Sequence, residues 1–202
     1  MASTFQKLIY HFEQLPGIGP RQARRFAYAL LRRSPSELRE FGDLIGTIKS
    51  HIKQCPDCGL THSESETTCT YCRDANRDPG TLLVVEKDAD VEAIEKSQSY
   101  TGYYLILGGV VPIAGKNQVR ENIVRQVVEK RREQGLQEII LGLSATTEGD
   151  QTRLYLYDLI SPLITDDIKI TTLGRGFATG TEVEYSDPET LKSALSNRTS
   201  QS

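Results

Sequence analysis

Apolar residues recur at Phe5, Leu8, Ile9, Phe12 and Leu15, the three-and-four spacing of one helical face, and predict a first helix from Phe5 to Leu15. The chain then reads Leu15-Pro16-Gly17-Ile18-Gly19-Pro20, through which no helix continues. Helical spacing resumes at Ala23, Phe26, Ala27, Leu30 and Leu31, so a second helix from Arg21 to Arg33 clamps a tight glycine turn against the first. Ser34-Pro35-Ser36-Glu37 reads as an N-cap with proline at the first helical position, opening a third helix to about Lys53. From Gly59 to Thr68 the pattern lapses, with Leu60 as the only aliphatic residue. Such a segment has no core of its own.

After Asp78-Pro79-Gly80 the period changes. Thr81 to Glu86 predicts a buried strand, about Asp90 to Ser97 a helix, and Tyr103 to Leu107 a second strand. A long charged helix is predicted from Gln118 to Gln134, a third strand from Glu138 to Leu143, a helix from Gln151 to about Ile160, and a fourth strand from Ile168 to Leu173. Strands separated by helices imply right-handed crossovers and a mostly parallel sheet covered on both faces. Thr181 to Tyr185 adds one short candidate strand, Asp187-Pro188 caps a last helix ending near Leu195, and Asn197 to Ser202 reads as frayed. The resulting fold class is α/β, with boundaries at 1–54, 55–79, 80–173 and 174–202.

The 202-residue length allows one sizeable core plus a small module, and 38% hydrophobic with 25% charged residues excludes a disordered chain. The longest mostly apolar stretch, Tyr103 to Ala114, contains glycines and a proline and is too short to span a bilayer. Lys7, His11 and Glu13 precede any apolar run, unlike a secretory signal, and predict a cytoplasmic protein. The net charge of −3 conceals a polarity: residues 1–54 carry nine Lys/Arg against four Asp/Glu, and the remainder fifteen against twenty-three. A basic head on an acidic body points to an anionic polymer at one end and a different task at the other.

Four cysteines, Cys55, Cys58, Cys69 and Cys72, form two Cys-x-x-Cys pairs separated by ten residues. That spacing supplies four thiolates to one closed tetrahedral site and predicts one structural zinc per chain; redox dithiols or disulfides are the alternative. His51 and His62 lie nearby but are not expected to be ligands. Leu15 to Arg21 between two amphipathic helices resembles the helix-hairpin-helix motif of non-sequence-specific DNA-binding proteins. Its physics fits: Gly17 and Gly19 let backbone approach phosphate, Ile18 plugs the hairpin into the helices, and Arg21, Arg24 and Arg25 supply charge. A plain interhelix turn with a solvated basic face is the alternative.

Glu86, Asp88 and Asp90 follow the first strand, and Glu148 and Asp150 follow the third, where parallel sheets bind ligands. The arrangement is similar to the Toprim fold, in which a strand-end glutamate and an Asp-x-Asp pair hold a divalent metal. Here the third strand leads into Leu141-Gly-Leu-Ser-Ala-Thr-Thr-Glu-Gly-Asp150, with no acid at its immediate end. Catalysis, helix capping, or docking of a basic partner on this acidic surface all remain open. Gly174 to Gly180, with Arg175, is either a phosphate cradle or an ordinary loop.

Taken in order, the hairpin, the four cysteines, the Toprim-like segment with Glu86, Ala89-Asp90 and Thr147-Glu148-Gly149, and the tail Gly174-Arg-Gly-Phe-Ala-Thr-Gly180 with Glu182-Val-Glu-Tyr185 resemble the RecR family of bacterial recombination mediators over almost the whole chain. Departures fall at Gly108-Gly109-Val-Val-Pro112-Ile-Ala-Gly115, where a histidine is expected, and at Ser144-Ala-Thr146, which lacks the usual proline. The resemblance implies a DNA-repair scaffold without catalytic residues. Such proteins form ring-shaped homo-oligomers, bind single- and double-stranded DNA and so associate with the nucleoid, work with RecO and RecF type proteins, and help load RecA recombinase on single-stranded DNA at gaps. On that reading Glu86, Asp88, Asp90, Glu148 and Asp150 dock a basic partner. The competing reading is a Toprim nuclease or primase-like enzyme using Glu86 with Glu148 or Asp150 and magnesium.

Overall fold

The computed structural model describes residues 3–63, 65–177 and 179–198. In the first compact unit, Met1–Ile52, helix α1 spans Thr4–Glu13 and starts where the Ser3 side chain accepts the amide of Gln6. Helix α2, Pro20–Leu30, follows Gly19 with proline at its first position. Between them the Ile18 amide bonds the Leu15 carbonyl at 3.1 Å, and Gly17 takes φ +76°, a conformation that penalises any residue with a Cβ. Ile9, Ala23 and Ala27 are buried together, with Phe5, Leu8, Phe12 and Ile18 packed around them. Alanines at both α2 contact positions let the helices approach closely. The second helix stops at Leu30 instead of Arg33, because the amides of Arg32 and Arg33 reach Ala29 and Leu30, three residues back, and tighten the last turn.

Helix α3, Pro35–His51, begins with a capping box in which Ser34 and Glu37 satisfy each other's amides. It has no buried residue, and Phe41, Leu44, Ile45 and Ile48 stand exposed along it.

The second unit, Lys53–Ser202, opens with a short antiparallel pair absent from the sequence expectation, β1 (Lys53–Gln54) and β2 (Thr61–His62). Helix α4 (Thr70–Arg73) follows, and then β3 (Asp78–Val85), α5 (Asp88–Ser97), β4 (Gly102–Ile106), α6 (Glu121–Glu133), β5 (Glu138–Leu141), α7 (Thr147–Ile160), β6 (Lys169–Thr172) and α8 (Pro188–Ser196). The sheet is parallel throughout in the order β4-β3-β5-β6.

Register fixes the two faces. Leu82, Val84, Tyr103, Leu105, Ile139 and Leu141 point one way, onto Val124, Val127 and Val128 of α6 and Leu156 and Ile160 of α7. Their neighbours Leu83, Val85, Tyr104 and Ile106 point the other way, onto Val91 of α5 and the cysteines. Each such buried aliphatic contributes roughly 1.5–3 kcal/mol, and a one-residue slip would exchange the faces.

Several boundaries move for identifiable reasons. Strand β3 absorbs Asp78-Pro79-Gly80 through a register shift between Asp78 and Leu82, with the Gly80 amide held by Asp78 Oδ1 at 2.8 Å. Helix α6 starts at Glu121 instead of Gln118, because Arg120 is tied by its amide to Leu107 O. Helix α7 starts at Thr147 instead of Gln151, because Thr146 caps it through the Gly149 amide at 3.1 Å. Glu148 and Asp150 therefore sit in a helix's first turn and not in a loop. The strand expected at Thr181–Tyr185 is instead a 3-10 turn at Val183–Tyr185, closed by the Ser186 amide on Val183 O. Among the described residues nothing pairs with the outer edge of β6. Residues 199–202 of the expected frayed end, and Ala178 in the glycine-rich tail, lie outside the described residues. No described helix is long and apolar enough to cross a membrane.

Candidate functional site

Two tight turns bring the four cysteine sulfurs within 4.8 Å of one another. Among the described residues this is the only set of three or more candidate ligands close enough to share an ion. Tetrahedral zinc with sulfur at about 2.3 Å places sulfurs about 3.8 Å apart, and Cys58 Sγ and Cys69 Sγ lie 3.6 Å apart. Cys55, Cys58 and Cys69 are buried. Four thiolates held within 4.8 Å of one another and mostly buried would repel strongly, and a cation among them would offset that repulsion. The chemistry of the donor set therefore fits a divalent, thiophilic metal.

Donors surround the sulfurs. The Leu60 amide points at Cys58 Sγ and the Cys69 amide at Cys55 Sγ, each at 3.4 Å. Arg131 Nη2 lies 3.8 Å from Cys72 Sγ, its guanidinium stacked 3.5 Å from the Tyr103 ring centroid. His62 turns Nε2 to Thr67 O at 3.2 Å.

The cysteine turns are pinned to the sheet. The Ile106 amide donates to Cys58 O at 2.7 Å, Arg120 bonds the carbonyls of Gly59, Ile106 and Leu107, and Lys130 meets Asp57 at 2.6 Å. Arg131 was legible in the sequence, since it continues the buried spacing Val124, Val127, Val128 on α6. An arginine on an apolar stripe is a signal that something anionic lies opposite. Arg120 and Lys130 carry no comparable signal.

The acids are placed separately. Glu86, just past β3, is 9% exposed; its carboxylate accepts the Ser144 amide at 2.7 Å and the Ser144 hydroxyl at 3.0 Å. Asp88 accepts the Thr61 amide at 3.0 Å, bracing the cysteine segment. Asp90 accepts the Lys87 amide at 3.0 Å and caps α5. Asp150 is paired with Arg175 and, at 3.3 Å, with Arg153, and Arg175 holds it below the ordinary carboxylate range. Glu148 is half-buried in the first turn of α7. No three of these carboxylates converge on a common point. The serine after β5 had no apparent role in the sequence; its amide and hydroxyl occupy the two carboxylate oxygens of Glu86.

The hairpin residues do come together. Gly17 and Gly19 are exposed at the turn, Ile18 is half-buried against the helix pair, and Arg21, Arg24 and Arg25 are exposed on α2. The Gly174 to Gly176 segment borders a cleft of about 770 Å³ shared with Thr146, Thr147, Asp150 and Asp187.

A helix-hairpin-helix description specific to RecR matches residues 5–48, and the Toprim domain matches residues 80–174. The chain is 38% identical over 194 residues to Recombination protein RecR of Oenococcus oeni, covering 96% of this chain and 95% of that protein. The chain belongs to the RecR family. Identity to the RecR proteins of Bifidobacterium animalis subsp. lactis and Bacteroides fragilis is 39%, covering 96% and 98% of this chain and 95% and 94% of those proteins. The RecR hairpin match contains Gly17, Ile18, Gly19, Arg21, Arg24 and Arg25, the Toprim match contains all five acids, and the cysteines fall between the two.

Proposed function

We propose that this chain is a non-enzymatic mediator of recombinational repair. Near-full-length similarity to proteins named Recombination protein RecR carries the reading, and the closure of Glu86 by Ser144 supports a Toprim domain used as a scaffold. The hairpin binds single- and double-stranded DNA without sequence preference: Gly17 and Gly19 let the backbone approach phosphate, Ile18 anchors the turn on the helix pair, and Arg21, Arg24 and Arg25 supply charge. Zinc is the metal for Cys55, Cys58, Cys69 and Cys72, since thiolates alone make a closed, structural site.

The acidic strand-end surface docks a basic partner of RecO type, with RecF type proteins in the same assembly, and the whole helps load RecA on single-stranded DNA at gaps. Asp88, Asp90, Glu148 and Asp150 keep partial exposure for that contact, while buried Glu86 shapes the loop behind it. Self-association into a ring gives the exposed apolar stripe of α3 a surface to cover.

Arg21, Arg24 and Arg25 replaced together by alanine should lose DNA affinity on any sequence and lower the log-log salt slope by roughly 2 to 3, at about 0.7–0.9 per phosphate contact. Unchanged affinity and slope would reduce the hairpin to a turn. Magnesium- or manganese-dependent DNA cleavage abolished by Glu86→Ala would establish the enzyme instead.

A further inference from the structure

Arg21, Arg24, Arg25 and Tyr28 are spaced three, four and seven residues apart on α2, so they share one stripe, about 10 Å long at 1.5 Å per residue. The opposite side of the helix carries Ala23 and Ala27, buried against α1. The arginines make no hydrogen bond or ion pair with another described residue, and from Arg21 to Arg33 there is no acidic side chain.

At the end of this stripe Tyr28 is 58% exposed. The half-buried Phe5 ring props it from within the unit, with centroids 5.0 Å apart at 58°. An aromatic ring supported from behind, open in front and flanked by unpaired guanidinium groups is a stacking platform at the end of a phosphate track. Duplex DNA hides its base faces against one another; a single strand offers them. Base–aromatic stacking beside a cationic groove is the means by which proteins hold unpaired strands without reading sequence.

We propose that Tyr28 stacks an unpaired base, so that the hairpin unit distinguishes single-stranded from duplex DNA. The proposal rests on the DNA-binding reading above and adds to it a residue and a strand preference.

The full chain is titrated with oligothymidylate and with a duplex of the same length. Tyr28→Ala and Tyr28→Leu, the second preserving apolar packing on Phe5, should lower affinity for the single strand roughly 5- to 100-fold, the range for loss of one stacked base, and lower duplex affinity far less. The salt slope should persist in both, since no phosphate contact is removed, and Tyr28→Phe should bind like the parent. The chain contains no tryptophan, so Tyr28→Trp places a single reporter here; its emission should be quenched by the single strand and not by the duplex. Parent-like single-strand binding by Tyr28→Leu, or equal losses on both DNAs, overturns the proposal. Failure of the underlying reading has a different signature: Arg24→Ala and Arg25→Ala would then leave binding to both DNAs unchanged.

Discussion

At the scale of single residues, Gly149 is a position that backbone alone forbids to any side chain. A Cβ there would meet Ser144 O at 2.0 Å, and that is backbone, which has no rotamer to escape into. The carbonyl belongs to the residue whose amide and hydroxyl occupy Glu86, so Gly149 sets the position of the whole strand-end loop. Gly149→Ala should cost about 1–3 kcal/mol by overpacking, read as a lowered urea midpoint with unchanged m-value. Glu86→Ala leaves the Ser144 amide without its acceptor and should cost about 1–3 kcal/mol before any partner is added. A stability equal to the parent's would show that this loop does not depend on Glu86. Arg131 is the counterpart at the metal: Arg131→Met removes the cation beside Cys72 and should weaken metal binding about 10- to 100-fold, as loss of an outer partner does, measured by competition with a chromophoric chelator.

Among the elements, the cysteine segment depends most on what lies outside it. Its paired strands are two residues each, too short to persist alone, and its support comes from contacts with β4, α5 and α6 and from the metal proposed for its four cysteines. The Ile106 amide is the reporter, because it bonds Cys58 O while its neighbour Leu107 bonds Val85 O. After metal removal, hydrogen exchange should accelerate at Ile106, Leu60 and Thr61 and remain slow at Leu107. Retained protection at Thr61 and Ile106 without metal would show that the segment folds on sheet contacts alone. The sequence announced this element clearly by its spacing, yet left its two strands unread, since two-residue strands carry no period.

For the whole molecule, charge is divided by unit: the basic stripe lies in the first and the carboxylate-bearing strand ends in the second. The exposed Phe41, Leu44, Ile45 and Ile48 on α3 form the kind of apolar surface that associates in water. Ile45→Asp with Ile48→Asp should lower the mass measured by light scattering while leaving helix content intact, because no α3 residue is buried within the chain. A monomeric parent, or an unchanged mass in the variant, would remove α3 from the assembly.

Hydrophobic period and turn chemistry alone determined the helical hairpin, the parallel α/β sheet and the four-cysteine cluster, because each depends on residues near one another in the chain: Gly17 before Pro20, Cys55 beside Cys58, the unbroken apolar run Leu82 to Val85. Tertiary structure decided what the carboxylates do. Glu86 and Ser144 are 58 positions apart, and Asp88 and Thr61 are 27 apart, so their pairing depends on the sheet order and the docking of the cysteine turns. Tertiary structure also separated Arg131, held over Tyr103 and Cys72, from the solvated arginines of α2. Spacing alone puts Arg131 on the apolar stripe of α6 and the α2 arginines off theirs, but what Arg131 meets there, a ring and a sulfur far away in the chain, is supplied only by the three-dimensional neighbourhood.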